Sequence, residues 1–147
     1  MVSFLIVYAS WSGNTKEVAE IIEETFTKMN VPFTTYRIGG GVAVPNPSDY
    51  GAMLLGSFTW EKGSTPDEVK DFVAELGYKP PNVYVFGTGD TQFGGDELFC
   101  LATVKLARFY ESQFPPLLIE QSPRGEQEVK AINWAEGVVT HWQYLQK

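Results

Sequence analysis

The chain alternates between short apolar runs and segments in which apolar residues recur at helical spacing. Residues 3–9 are almost continuously apolar, the pattern of a strand covered on both faces. From Lys16 the spacing becomes helical. The apolar face of this predicted helix is formed by Val18, Ile22, Phe26 and Met29. A strand followed directly by a helix is the first unit of an α/β pattern.

The same alternation continues to the end of the chain. The other predicted strands span 33–38, 52–57, 82–88 and 116–121. The other predicted helices run from Thr65 to Gly77, from Leu98 to Phe109 and from Glu126 to about Gln146. In the first of these, Thr65 is predicted to cap the helix and Glu68 to close a capping box. Gly- and Pro-rich residues 39–47 are predicted to form a loop.

Strands that alternate with helices predict one doubly wound parallel sheet. Right-handed crossovers then place helices on both faces, and the common small form has five strands in the order 2-1-3-4-5. The expected fold is therefore an α/β three-layer sandwich. At 147 residues the chain is expected to form a single domain over 1–147.

The charge of the chain narrows the classes of partner. Eighteen acidic against eleven basic residues give a net charge of −7, which opposes binding to nucleic acids and to anionic membranes. Residues 56–100 hold eight of the acidic residues and three lysines, which favours a basic protein partner. The first apolar run is only about seven residues long, well short of the roughly 20 that cross a bilayer. Without a signal-type start, a cytoplasmic location is expected.

The residue types needed for metal or thiol chemistry are scarce. One cysteine, Cys100, and one histidine, His141, cannot make an internal disulfide or a metal site. Cys100 is predicted to be a small buried residue. On the last helix, Trp134 and Trp142 are expected to seal the apolar face, and His141 is expected to be solvated.

The loop after the first strand has the composition of a phosphate site. It joins a buried strand to a helix N-terminus, where free backbone N–H groups and the helix dipole favour an anion. Hydroxyl and amide side chains add donors, and the absence of a Walker motif disfavours a nucleoside triphosphate. A polar turn in which Asn14 or Thr15 merely caps the helix is the alternative. The candidate residues are Ser10, Trp11, Ser12, Gly13, Asn14 and Thr15.

The loops after the third and fourth strands should meet the first loop at the same edge of the sheet. Trp60 either stacks on a planar ligand or covers the edge of the core. Glycines before Phe93 allow backbone N–H groups to face a ligand. The candidate residues are Ser57, Phe58, Thr59, Trp60, Glu61 and Gly63 in the second loop, and Thr88, Gly89, Asp90, Phe93 and Gly94 in the third.

These three loops together resemble those of the flavodoxin family. SWSGNT resembles its phosphate loop, GSFTW its loop beside the isoalloxazine, and GTGDTQF its GSGDxxY loop with Phe93 in place of the tyrosine. The likeness covers the chain in length, element order and loops, with no room for the extra segment of long-chain members. It implies a short-chain flavodoxin that binds FMN non-covalently, with its phosphate on neutral donors and its ring between Trp60 and Phe93.

The resemblance also implies a function. Such a protein is a one-electron carrier between redox proteins, with no substrate turnover and no catalytic residue of its own. A site ringed by Asp67, Glu68, Asp90 and Asp96, with no arginine nearby, is expected to disfavour the anionic, fully reduced flavin and so to lower its potential. The same carboxylates would steer a monomeric carrier onto basic-surfaced reductases and acceptors, although each could instead belong to a solvated acidic face.

Two other functions share the predicted strand order. QFGGDELFCLA and EQSPRGEQE resemble parts of an FMN-dependent activator of a ribonucleotide reductase metal site. Two features argue against this function. Trp60 stands where that family usually has glycines, and the residues around the site are strongly acidic. A receiver-type signalling domain needs an aspartate pair after the first strand and one aspartate after the third. This sequence has neither, so a receiver domain is discounted.

Glu61 follows Trp60 where flavodoxins commonly have glycine, and this difference predicts a redox effect. In the family that peptide turns over on reduction, and positive φ at a non-glycine residue costs about 1–2 kcal/mol. Glu61→Gly should therefore raise the potential of the first one-electron reduction by tens of millivolts, since about 59 mV is tenfold. Glu61→Gln should raise it less. An unchanged potential in a redox titration of Glu61→Gly would refute the backbone argument, for instance because the turn is shifted onto Lys62 and Gly63.

Overall fold

Five parallel strands form one sheet in the order 2-1-3-4-5, which confirms the predicted topology. The computed structural model describes residues 3–41, 43–60, 63–90 and 100–147. The strands are β1 (Phe4–Tyr8), β2 (Phe33–Arg37), β3 (Ala52–Phe58), β4 (Val83–Gly89) and β5 (Leu117–Glu120). The helices of these ranges are α1 (Asn14–Lys28), α2 (Asp67–Leu76), α3 (Leu101–Phe109) and α4 (Glu126–Leu145), and Pro47–Asp49 forms a 3-10 turn. None of these helices has both the length and the apolar character needed to span a membrane.

Two apolar layers cover the two faces of the sheet. All five residues of β1 are buried because successive side chains enter opposite layers. Phe4 and Ile6 pack with residues of α1 and α4, whereas Leu5 and Val7 pack with residues of α2 and α3. The helices on both faces confirm the three-layer sandwich.

Two glycines allow close packing at the interior of the sheet. A Cβ at Gly56 of β3 would collide with the ring of Phe86, which is fully buried. A Cβ at Gly87 of β4 would collide with Oγ1 of Thr103 in α3. The absence of a side chain therefore lets a neighbouring ring and a helix approach the backbone directly.

The helical spacing noted from Lys16 to Met29 does not coincide with α1 in the structure. The helix begins at Asn14, two residues before Lys16. It ends at Lys28, so Met29 is the C-cap residue and is exposed instead of joining the apolar face. Asn30 follows with a left-handed φ of 58°, which ends the helical backbone.

The predicted starts of two other helices also differ from the structure. The N-cap position of α2 has no side-chain hydrogen bond, so the predicted cap by Thr65 is wrong and the helix begins at Asp67. α3 begins at Leu101, because Cys100 before it has a left-handed φ of 52°. The predicted start at Leu98 lies outside the described residues.

The two tryptophans of α4 are packed, and so is its histidine. Trp134 lies in the core and Trp142 packs against it, as predicted. The expectation that His141 is solvated is wrong, because its Nδ1 lies 2.8 Å from the hydroxyl oxygen of Tyr84. Its ring also packs against Phe114, with 5.1 Å between ring centres. The histidine therefore helps to join α4 to β4.

Tyr110 generates a prediction about stability. Its hydroxyl is buried without a hydrogen-bond partner in the described part of the chain, and burial raises its pKa to about 12. Tyr110→Phe should raise the free energy of unfolding by about 1 kcal/mol near neutral pH, because an unsatisfied polar group is removed. Urea denaturation measures this change. The raised pKa also means that the folded wild type loses stability as the pH rises from about 10 to about 12, since the unfolded tyrosine ionises first.

Tyr84→Phe is the matched control. Burial also raises the pKa of Tyr84 to about 12, but its hydroxyl is bonded to His141. Both variants should therefore reduce the alkaline loss of stability, and only Tyr84→Phe should be destabilised near neutral pH. A Tyr110→Phe protein less stable than the wild type would contradict the argument.

Candidate functional site

A cavity of about 580 Å³ opens at the carboxyl edge of the sheet. This is the place where ligands bind in open α/β folds. Its wall is formed by Trp11, Ser12, Asn14, Phe58, Thr59, Trp60, Gly63, Thr88, Gly89, Asp90, Gln121 and Ser122. The loops after β1, β3, β4 and β5 therefore meet around one space.

Ten residues of this wall were predicted from the sequence. Four other predicted site residues are described but are not part of the wall, namely Ser10, Gly13, Thr15 and Ser57. Three more predicted site residues, Glu61, Phe93 and Gly94, lie outside the described residues.

The start of α1 is built to present backbone N–H groups. Gly13 is the N-cap residue, with a φ of 98°. The Ser10 hydroxyl oxygen accepts from the backbone N–H groups of Gly13 and Lys16, at 3.2 and 3.3 Å. The N–H groups of Asn14 and Thr15 have no intrahelical acceptor, because they belong to the first turn. Free N–H groups and the helix dipole at this position favour an anion.

The alternative reading of this loop as a simple helix cap is not what the structure shows. Asn14 and Thr15 lie inside the helix, and α1 has no side-chain cap hydrogen bond. Thr15 is buried, and its hydroxyl oxygen lies 2.9 Å from that of Thr88. Of the six predicted phosphate-site residues, those that line the cavity are Trp11, Ser12 and Asn14.

An arginine lies beside this loop, contrary to the expectation of none near the site. Arg37 is the last residue of β2 and pairs in register with Tyr8 at the end of β1. Its Nη2 donates to the carbonyl oxygen of Ser10 at 3.4 Å, and its guanidinium lies 6.0 Å from the centre of the Tyr8 ring. The sequence did not reveal this neighbour. Arg37 and Ser10 are 27 positions apart and come together only because β2 pairs with β1.

The expected ring of carboxylates is also corrected. Asp90 lies on the cavity wall, where its Oδ2 accepts from Nε2 of Gln121 at 3.2 Å. Asp67 and Glu68 lie in α2, off the wall. Asp96 lies outside the described residues. Among the described residues, the negative charge on the wall therefore comes from Asp90.

Exposed indole rings stand at the mouth of the cavity. Trp11 is 74% and Trp60 44% exposed, and their ring centres are 5.2 Å apart in an edge-to-face arrangement. Phe58 also packs edge-to-face with Trp60, with 5.7 Å between ring centres. Large apolar rings left in water at a cavity mouth are suited to cover a planar ligand.

The loop after β5 contributes residues that the sequence analysis missed. Gln121 was read as the last residue of the strand, but its φ of 56° is left-handed and its N–H donates to the carbonyl oxygen of Gly89 at 2.7 Å. It lines the cavity with Ser122. The signal was available in the topology, because β5 is the neighbour of β4 and its loop must end at the same edge.

Cys100 is a packing residue, as predicted. Its thiol is fully buried, and Sγ lies 3.5 Å from the carbonyl oxygen of Ile119. Burial raises the pKa of the thiol to about 12. The thiol therefore stays neutral at physiological pH and is not a nucleophile.

Fold and site together define a class of protein, one that binds a phosphorylated aromatic ligand at the edge of a doubly wound sheet. The family model for flavodoxins matches residues 6–121. The chain therefore belongs to the flavodoxin family.

Individual relatives agree with this assignment. "Probable flavodoxin 2" of Bacillus subtilis is 31% identical over 142 residues, which cover 91% of this chain and 92% of that protein. A solved short-chain flavodoxin associated with a bacterial microcompartment superposes with a TM-score of 0.84 at 25% identity, covering 97% of this chain and 99% of that one. A Fusobacterium nucleatum flavodoxin solved with bound FMN has the same fold, with a TM-score of 0.76 at 15% identity over 96% of this chain and 99% of that one.

Flavodoxins bind FMN and transfer electrons, and they do not turn over a substrate of their own. The described residues fit this cofactor in chemistry. The cavity wall contains neutral hydroxyl and amide donors at the start of α1. It also contains the exposed indoles of Trp11 and Trp60. Its volume of about 580 Å³ lies within the usual range for ligand pockets.

Proposed function

We propose that this flavodoxin is a low-potential one-electron carrier, acting in the cytoplasm as a single-domain monomer between basic-surfaced redox proteins. The observation that carries the proposal is the mixed lining of the cavity. Ser12 and Asn14 at the start of α1 and the exposed indoles of Trp11 and Trp60 form parts of the same wall. A ligand with an anionic group and a flat ring matches both kinds of lining.

The proposed phosphate site combines three kinds of donor. The Ser12 hydroxyl and the Asn14 amide line the cavity, and the free N–H groups of the first turn of α1 point toward the same anion. The Ser10 oxygen uses its lone pairs to hold the loop, which leaves its O–H proton available. Arg37 adds a positive charge behind Ser10. FMN, which carries a phosphate, should therefore bind more tightly than riboflavin, which has none.

The proposed ring site favours the neutral over the anionic form of the flavin. Asp90 lies on its wall, so its carboxylate acts on a bound ligand at short range. Two cations, Lys105 and Arg37, are placed less effectively. Nζ of Lys105 donates to the carbonyl oxygen of Gly63, and Arg37 lies at the phosphate end. The net effect is a low potential for full reduction.

The bound cofactor supplies the redox chemistry, and the chain must hold it and expose it to a partner. A row of acidic side chains follows the second loop in α2. Asp67, Asp71 and Glu75 are all exposed and are spaced four residues apart, so they lie on one face of the helix. This acidic row begins at the end of the helix nearer the site. It would attract a positively charged reductase or acceptor.

An activator of a ribonucleotide reductase metal site is the second candidate. One observation favours it, since the EQSPRGEQE stretch that resembles this family contributes Gln121 and Ser122 to the cavity wall. A redox titration of the FMN complex separates the two functions. A carrier should show two one-electron potentials that are well apart, with the second one low, whereas potentials close together would favour the activator.

The phosphate site generates a prediction about ligand selectivity. Ser12→Ala should weaken FMN binding by about tenfold or more and leave riboflavin binding nearly unchanged, because a hydrogen bond to a charged group contributes about 1.5–3 kcal/mol. Flavin fluorescence titration of the apoprotein measures both affinities. Ser48→Ala, which changes an exposed serine before β3 at the opposite end of the sheet, is the matched control. An equal loss for both ligands would show that the first loop does not hold the phosphate.

The acidic row generates a prediction about partner docking. Asp67→Asn/Asp71→Asn should slow electron transfer to a basic c-type cytochrome by about threefold or more at low salt, and the difference should vanish at high salt. Stopped-flow absorbance follows the reaction.

Glu111→Gln/Glu136→Gln removes the same charge from exposed positions away from the site and is the control for that variant. It should leave the rate nearly unchanged. If both variants slow the reaction equally, net charge alone matters, and docking at the acidic row is wrong.

A further inference from the structure

A buried hydroxyl pair connects two of the loops at the site. Oγ1 of Thr15, in the first turn of α1, lies 2.9 Å from Oγ1 of Thr88, in β4. The two residues are 73 positions apart, and each is at most 3% exposed. In such surroundings a hydroxyl that lost its partner would be costly to leave unsatisfied. The pair is therefore a specific contact between the phosphate loop and the central sheet.

Thr15 differs from other helical threonines of this chain in where its hydroxyl bonds. Thr25, Thr27 and Thr140 each donate to the carbonyl four residues earlier in their own helix. For Thr15 that carbonyl belongs to Trp11, which precedes α1. The Thr15 hydroxyl instead forms a hydrogen bond with Thr88 of β4. This contact therefore depends on the position of α1 relative to the sheet.

Thr88 is also bonded to the second loop. Its carbonyl oxygen accepts from the N–H of Thr59 at 3.0 Å. It directly precedes Gly89 and Asp90 of the third loop, and it lines the cavity itself. Thr88 thus contacts Thr15 through its side chain and Thr59 of the second loop through its backbone. It is joined to the third loop by the peptide chain itself.

We propose that Thr88 is a positioning residue for the FMN phosphate. Through Thr15 it fixes the first turn of α1 relative to β4, and so sets the distance between the phosphate-binding N–H groups and the ring site. The inference rests on the proposed placement of the phosphate at the first loop. The affinity for FMN, which is held at both its phosphate and its ring, depends on this distance. The affinity for riboflavin, which lacks the phosphate, does not.

Substitution of Thr88 by residues of similar size tests the proposal. Thr88→Val keeps the shape and removes the hydroxyl, so the affinity for FMN should fall by about tenfold and that for riboflavin should change little. Thr88→Ser restores the hydroxyl and should restore most of the FMN affinity. Thr103→Val is the matched control. It is also a buried threonine, but its hydroxyl has no partner among the described residues, and its removal should leave the ratio of the two affinities unchanged.

A double-mutant cycle distinguishes positioning from independent contributions. If the pair acts as one unit, Thr15→Val/Thr88→Val should lose no more FMN affinity than the larger single loss. The ³¹P chemical shift of bound FMN should also move in Thr88→Val and return in Thr88→Ser. Additive losses, or an unchanged ratio of FMN to riboflavin affinity in a folded Thr88→Val protein, would overturn the proposal.

Ser12→Ala separates the failure of this inference from failure of the phosphate placement. If Ser12→Ala lowers FMN affinity selectively and Thr88→Val does not, the phosphate is correctly placed and the positioning role of Thr88 is wrong. If neither variant is selective, the proposed phosphate site itself is wrong.

Discussion

Burial of the central strands on both faces is the constraint on which the rest of the structure depends. Every residue of β1 is buried, as are the first six residues of both β3 and β4. Except for Ser57 and Thr88 near the carboxyl ends, these positions hold apolar, aromatic or glycine residues, so the middle of the sheet does not form a polar binding site. Polar chemistry is left to the carboxyl ends, where the strands stop and the backbone turns toward the helices.

The same constraint explains why the site combines a helix start with exposed aromatic rings. The loop after β1 must lead into α1, and a helix start has N–H groups without intrahelical acceptors. The loop after β3 leaves the sheet at the neighbouring strand and carries Trp60 to the surface. The free N–H groups of α1 and the ring of Trp60 are therefore held side by side by the pairing of β1 with β3.

Among the described residues, four of the five buried polar side chains lie where these requirements meet. Thr15, Ser57, Thr88 and Thr103 are buried near the carboxyl ends of β3 and β4 or in the helix turns packed there. Two of them bond to each other, and the Ser57 hydroxyl donates to the carbonyl oxygen of Phe58 at 2.7 Å. Because a buried hydroxyl is costly without a partner, such contacts specify one arrangement of the loops more narrowly than apolar packing does.

The sequence by itself determined the elements, their order and three of the four loops of the cavity. Those features depend on local patterns, such as the continuous apolar run of β1 and the SWSGNT turn after it, and ten cavity residues were named from them. Only the tertiary structure decided which residues meet across elements. Arg37 reaches Ser10 through strand pairing, Gln121 joins the cavity because β5 lies beside β4, and Thr15 bonds Thr88 across the sheet. His141 is packed for the same reason, since its partner Tyr84 is 57 positions away and no local periodicity records so distant a contact.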